Sequence, residues 1–290
     1  MRSQAVPGQS AAVESLKRKV VEVSDFSGLV VPAVNAHPRS GEDCRGGKLF
    51  ESEARARALT DENAKAIDAL QDRLYAEGKR ALLVILQGMD TSGKDGTIRG
   101  VFNKTGPLGV AVTSFRQPSV EELAHDFLWR AHIACPRRGM IGIFNRSHYE
   151  DVLVVRVKGF AAPEQIEKRY AQINDFERIL HENGTKIVKF MLNISAQEQA
   201  QRLQERLDEP EKRWKFNMGD LDDRKLWSQY MQAYDIMLAR TSTAENPWHV
   251  IPADQKWARN AIISSIVLKA LEEMNPQYPN PQIDPNLRII

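Results

Sequence analysis

The stretch from Ala81 to Gly96 constrains the fold more than any other part of the 290-residue chain. It begins with the unbroken apolar run Ala81-Leu-Leu-Val-Ile-Leu86, too short to span a membrane and rich in branched side chains. Such a run predicts a strand buried on both faces of a parallel sheet. It leads into Gly88-x-x-x-x-Gly93-Lys94, the spacing of a phosphate-binding loop. In such a loop the glycines let successive backbone N–H groups turn towards one oxyanion. The following helix adds its positive end, and the lysine supplies a point charge. Asp95 stands where a Ser or Thr normally holds magnesium, so a metal bound here needs another protein group to help hold it.

Around that stretch, strands and helices alternate. Further strands are predicted at Val110 to Phe115, Met140 to Phe144, Lys186 to Ile194 and Trp248 to Ile251. Helices are predicted at Thr60 to Glu77, Ser119 to Ile133, Pro163 to His181 and Lys256 to Met274. Ser119 with Glu122, and Ser147 with Glu150, have the spacing of capping boxes. Leu226, Tyr230, Ala233, Tyr234, Met237 and Leu238 recur at helical spacing and are expected to bury. This order implies an α/β chain with a parallel sheet and right-handed crossovers. A phosphate loop after the first strand makes it a P-loop kinase of the nucleoside-monophosphate-kinase type, a three-layer sandwich around five strands; the dinucleotide-binding fingerprint Gly-x-Gly-x-x-Gly is absent. The expected organisation is an N-terminal arm with a short helix over 1–58, a kinase domain over 59–275 with a lid at about 197–225, and a C-terminal arm over 276–290.

The 40 Lys and Arg against 38 Asp and Glu give a net charge of +2, so no nucleic-acid partner is expected and any anion site must come from local clustering. The two cysteines, Cys44 and Cys135, have no metal-like spacing and argue against a disulfide framework. Without a signal peptide or a membrane-length apolar run, the expected location is cytoplasmic, with no membrane partner.

Phosphoryl transfer needs cations in an enclosed cleft, to position two reactants and neutralise the moving group. Lys94 is the first candidate, with Gly88, Thr91, Ser92, Gly93, Asp95, Gly96 and Thr97 forming the loop around the phosphate. Asp90, inside the loop, would repel phosphate unless a metal stood between them; the alternative is a turn aspartate bonding its own backbone. Asp95 suits either a functional role or the helix dipole alone. Arg146, at the carboxyl end of the third strand, is placed to grip phosphate oxygens, with a surface salt bridge as the plainer reading. Glu150 and Asp151 are candidate metal ligands acting through water, although Glu150 also reads as a cap. His148 is expected to be structural or a phosphate contact. Arg202, Arg206, Lys212, Arg213 and Lys215 form a basic segment after the fourth strand, where this fold places a closing lid; each alone reads as a solvated helix residue paired with Glu or Asp. Trp214, Trp227 and Trp257 are expected in core or hinge packing.

Three of these segments, Gly88-Met-Asp-Thr-Ser-Gly-Lys-Asp-Gly-Thr97, Phe144-Asn-Arg-Ser-His-Tyr-Glu-Asp151 and Lys212-Arg-Trp-Lys-Phe216, together resemble the polyphosphate kinase 2 family, over about Ala81 to Asn260. The resemblance implies a thymidylate-kinase-like core with a helical lid. It implies reversible, magnesium-dependent transfer of the terminal phosphate of inorganic polyphosphate to a nucleotide. Many members carry Asp where this chain has Asn145, which shifts the expected metal ligation to Asp90, Glu150 and Asp151. The Asn-Arg-Ser-His-Tyr-Glu-Asp form is similar to the subgroup that phosphorylates both AMP and ADP, with adenine or guanine nucleotides as partners and a homodimer or homotetramer as the assembly. A polyphosphate chain needs a long basic track, for which Arg99, Lys104, Arg116, Arg137 and Arg138 are candidates.

Overall fold

The computed structural model describes residues 26–33 and 43–281; the expected short helix of the N-terminal arm lies outside them. Five strands form one parallel sheet: β1 (Ala81–Gln87), β2 (Val110–Ser114), β3 (Ile141–Asn145), β4 (Thr185–Asn193) and β5 (Trp248–Pro252), in the order β2-β3-β1-β4-β5. The uninterrupted apolar run occupies the centre, where every residue of β1 is buried. At the β5 edge, Val30 pairs antiparallel with His249, and the Val31 N–H donates to the Trp248 carbonyl at 2.8 Å.

Helices cover both faces. On one side α1 (Glu53–Glu77) and α2 (Lys94–Val101) pack against α10 (Lys256–Met274). Asn63 of α1 donates to the hydroxyls of Ser264 and Ser265 at 3.1 and 2.9 Å, a buried polar lock between the two long helices. On the other side lie α5 (Val154–Lys158), α6 (Pro163–Glu182) and α9 (Trp227–Thr241). The basic segment after β4 folds as α7 (Ala196–Asp208), a 3₁₀ turn (Pro210–Lys215) and α8 (Met218–Lys225). Among the described residues, no helix is long and apolar enough to cross a membrane.

Several boundaries differ from the sequence pattern, for local reasons. Helix α1 starts at Glu53, because the Ser52 hydroxyl accepts from the Arg55 N–H and supplies an earlier cap than Thr60. The helix predicted from Ser119 splits into α3 (Val120–Leu123) and α4 (Trp129–Ala134). Its capping box forms as expected, but the Asp126 carboxylate accepts from the Leu128 N–H at 3.0 Å, a side-chain turn that competes with helix. Ser147 bonds the Tyr149 N–H instead of closing a box with Glu150, and His148–Val152 is a 3₁₀ turn. Trp214 does not pack in a core: it is 76% exposed.

Truncating Leu83, fully buried at the centre of β1, leaves a void between the helical layers. Leu83→Ala is expected to lower unfolding free energy by about 2–5 kcal/mol in urea titration. Val120→Ala, at a residue 88% exposed, serves as the control and should stay within about 0.5 kcal/mol of the parent.

Candidate functional site

The loop Gly88–Gly93 joins the carboxyl end of β1 to the amino end of α2, where open α/β sheets present their ligand crevice. Its path needs glycine. Gly93 has φ 102°, and a Cβ there would run into the Arg259 guanidinium of α10. Gly88 has φ 151°, and its Cβ would meet the Leu192 carbonyl of β4. Thr91 is held at φ 64° without that freedom, the kind of local strain that clusters at working sites.

Lys94 is buried and turned onto the loop itself, donating to the carbonyls of Gly88 at 2.7 Å and Met89 at 3.2 Å. Burial and the nearby Arg146 charge push its pKa down to about 8, against the opposing pull of Asp90, Glu150 and Asp95. Asp90 forms an ion pair with Arg146. Burial alone would raise its carboxyl, but the Arg146 and Lys94 charges outweigh burial and hold it below the usual carboxylate range. Arg146 sits just past β3 with φ 60°, and its other arm donates to Glu150 at 3.2 Å. With its amide nitrogen facing Glu150, Gln87 at the end of β1 donates to Glu150 at 3.0 Å and accepts from Ser147. A chain of charged and polar contacts therefore runs Gln87–Glu150–Arg146–Asp90, from the central strand into the loop. Asp90, Arg146 and Glu150 border a small cavity closed by Asp223 and by Tyr230 and Tyr234 of α9.

Around the loop, Ser92 and Thr97 are fully buried, and no hydrogen-bond partner for either hydroxyl, or for that of Thr91, occurs among the described residues. Asp95 accepts from the Asn145 amide at 2.7 Å, so the two residues that depart from the usual pattern, on α2 and β3, satisfy each other.

Other expected site residues lie elsewhere. Asp151 faces Arg169 at 3.1 Å and Arg130 at 3.8 Å, and burial lifts its carboxyl to about 6 in spite of both arginines. It does not border the Asp90 cavity. Arg202 is a buried strut, donating to the carbonyls of Thr91, Ala253 and Asp254 at 2.9, 2.8 and 2.6 Å and to Glu198 at 2.8 Å. Arg206 pairs with Asp220 of α8 at 2.9 Å, and Lys212 pairs with Glu209 at 2.7 Å. The Lys215 ammonium lies over the Trp214 ring at 5.1 Å, on the exposed turn. His148 is fully buried, edge-on to Phe176 at 5.3 Å.

The sequence pattern missed four contributors: Asp220, Asp223, Tyr230 and Tyr234. Asp220 of α8 lies within hydrogen-bonding reach of Asp90, and burial with the Asp90 charge pushes its carboxyl up to about 6. Asp223 pairs with Lys158 at 2.6 Å and borders the cavity. The signals were present as the acidic run Asp220-Leu-Asp-Asp223 and as two tyrosines one helical turn apart, but both also describe an ordinary solvated helix and an ordinary core stripe.

The model of the family described as Polyphosphate kinase 2 (PPK2) matches residues 50–279. The chain belongs to the polyphosphate kinase 2 family. It is similar to the AMP/ADP-polyphosphate phosphotransferase of Meiothermus ruber, 55% identical over 218 residues, covering 75% of this chain and 82% of the relative. The ADP-polyphosphate phosphotransferase of Rhodopseudomonas palustris is 43% identical over 243 residues, covering 80% and 84%. The crystal structure of Polyphosphate Kinase 2 from Arthrobacter aurescens TC1 superposes with a TM-score of 0.85 at 42% identity, covering 89% of this chain and 92% of that one.

The position of Lys94 yields a pH prediction. Its folded pKa of about 8 lies below its usual 10.5, so the unfolded chain binds more protons between those values and stability rises with pH across that window. The unfolding free energy of the parent minus that of Lys94→Met, measured by urea titration at several pH values, should therefore become more positive from about pH 8 upwards; a flat or falling value contradicts the assignment.

Proposed function

We propose that this protein is a polyphosphate-dependent nucleotide kinase that transfers the terminal phosphate of inorganic polyphosphate to AMP and ADP, reversibly. The observation that carries this reading is the Asp90–Arg146–Glu150 chain set against a glycine loop with Lys94 at its floor: two cations and two carboxylates converge where phosphate oxygens would sit. The names of the Meiothermus and Rhodopseudomonas relatives supply the donor and the acceptors.

In this reading the loop N–H groups and Lys94 hold the donor's terminal phosphates. The Lys94 ammonium exchanges the Gly88 and Met89 carbonyls for phosphate oxygens. Arg146 is kept protonated by Glu150 and Asp90, which outweigh the cost of its burial, and so meets the charge that spreads over the phosphoryl group in transit. The unpartnered hydroxyls of Ser92 and Thr97 add donors to the same oxygens. Segment 196–225 acts as the lid, with α8 bringing Asp220 and its partner Arg206 over the loop. The kinase unit extends over about 59–275, flanked by terminal arms.

Magnesium fits this donor set. Among the described residues no three acidic, His or Cys side chains converge on one point, which suits an ion that rests on one or two carboxylates and completes its shell with phosphate and water oxygens. Asp90 and Glu150, which border the cavity, are the carboxylates that would hold it; Asp151, which does not border it, is placed less well. When bound, such an ion would offset negative charge on the phosphate oxygens. Guanine nucleotides as alternative acceptors, a homo-oligomeric assembly and a cytoplasmic location complete the reading.

Incubation with AMP or ADP, magnesium and polyphosphate, with no ATP added, is expected to yield ADP and ATP; chelation by EDTA should stop both. Lys94→Ala should lower turnover by at least about 100-fold while the circular dichroism spectrum is retained. Near-parental turnover in that variant would refute the role given to the loop.

A further inference from the structure

Behind the turn that carries Glu150 lies a group of fully buried polar side chains that touches neither the loop nor the cavity. Lys189 of β4 is completely buried and donates to Glu177 of α6 at 2.7 Å, to the Tyr149 hydroxyl at 2.9 Å and to the Thr241 carbonyl of α9 at 2.7 Å. Those three bonds saturate the ammonium. Tyr149 donates in turn to the second Glu177 oxygen at 2.6 Å, and the Trp248 indole of β5 donates to the Thr241 hydroxyl at 2.9 Å. The Lys189 ammonium also lies 5.4 and 5.2 Å from the ring centres of Tyr149 and Trp248.

Two of the elements meeting at this group continue into the cleft. Tyr149 precedes Glu150 in a single 3₁₀ turn, so fixing its hydroxyl fixes the backbone from which Glu150 reaches Arg146. Thr241 ends the helix whose Tyr230 and Tyr234 close the cavity. Taking two charges out of water is costly, and well-packed apolar replacements of such a pair are often neutral or stabilising. Stability alone is therefore a weak reason for Lys189 and Glu177. What apolar side chains cannot supply is direction: the ammonium bonds three elements in one geometry.

We propose that the Lys189–Glu177 pair, through the Tyr149 hydroxyl and the Thr241 carbonyl, is a positioning device that aims Glu150 and Arg146 at the phosphate loop and holds α9 in register over it. This rests on the roles given above to Arg146 and Glu150. Arg146 and Glu150 touch the transferring phosphate or its metal; Lys189, Glu177 and Tyr149 act only through them. Because Arg146 works on charge developed in transit, misalignment of this chain lowers kcat and leaves KM for polyphosphate nearly unchanged.

The double variant Lys189→Met/Glu177→Met removes both charges and strands neither. It leaves the Tyr149 hydroxyl, the Thr241 carbonyl and His148, which faces Glu177 at 3.6 Å, without these partners, so it is expected to melt below the parent but to fold cooperatively, and to lose at least about tenfold in kcat with ADP, with KM for polyphosphate within about twofold. Tyr149→Phe leaves the ion pair in place, removes the hydroxyl bridge and should show the same split in kcat and KM. A parental kcat in either folded variant overturns the proposal. Arg146→Ala, assayed in parallel, separates the two ways of failing. If it is inactive while a folded network variant turns over normally, only the positioning role falls; if it turns over normally, the reading of the site falls and the positioning role with it.

Discussion

The ion pair between Arg146 and Asp90 is the contact on which the rest of the cleft depends. It joins the end of β3 to the loop after β1, two neighbouring strands whose carboxyl ends diverge into separate loops. Both partners are half-buried, and a charge withdrawn from water without its partner is costlier than the pair. Each therefore forces the other into place, and the positive φ of Arg146 is tolerated because Asp90 on one side and Glu150 on the other determine where the guanidinium must lie. Lys94 sits below them, its charge offset by the same two carboxylates that hold Arg146.

Supports for this cleft come from unexpected elements. Arg202 and Arg259 use their guanidinium groups as struts for the loop's backbone, bonding the carbonyls of Thr91 and Ser92. Gln199 reaches the Asp90 carbonyl at 3.3 Å. A backbone that turns its N–H groups towards a ligand turns its carbonyls outward, and buried carbonyls need donors. Fixed cations supply them and leave a positive field behind the loop. Beneath, the Lys189 network ties β4, α6 and α9 to the same turn.

Much of this was legible in the chain. Apolar periodicity and flanking Pro delimit helix α10 at its observed ends and β5 to within one residue, because they report burial and chain breaks directly. The loop was legible because glycine at set spacings reports a backbone requirement. Roles of charged side chains were much less so. Arg202 and Arg206 belong to one basic run and one helix face, yet one is buried against carbonyls and the other, a turn further on, pairs with Asp220, because what packs on that face changes along the helix axis. Asp151 is separated by a single peptide bond from Glu150 and looks away from the cavity that Glu150 borders.

By itself, the sequence determined the strand-loop-helix centre, the alternation that makes the sheet parallel, and the presence of Asp90, Lys94 and Arg146 at strand ends where ligands gather. These follow from short-range rules: which residues bury, which turn, and which cap. Only the tertiary structure decided which charges meet. The strand order β2-β3-β1-β4-β5 places Arg146 beside the loop, returns α7 and α10 to brace it, and brings Tyr230 and Tyr234 across the cavity from far along the chain. Electrostatic partnership is set by distance and burial in the folded molecule, and neither is written in the spacing of residues along the chain.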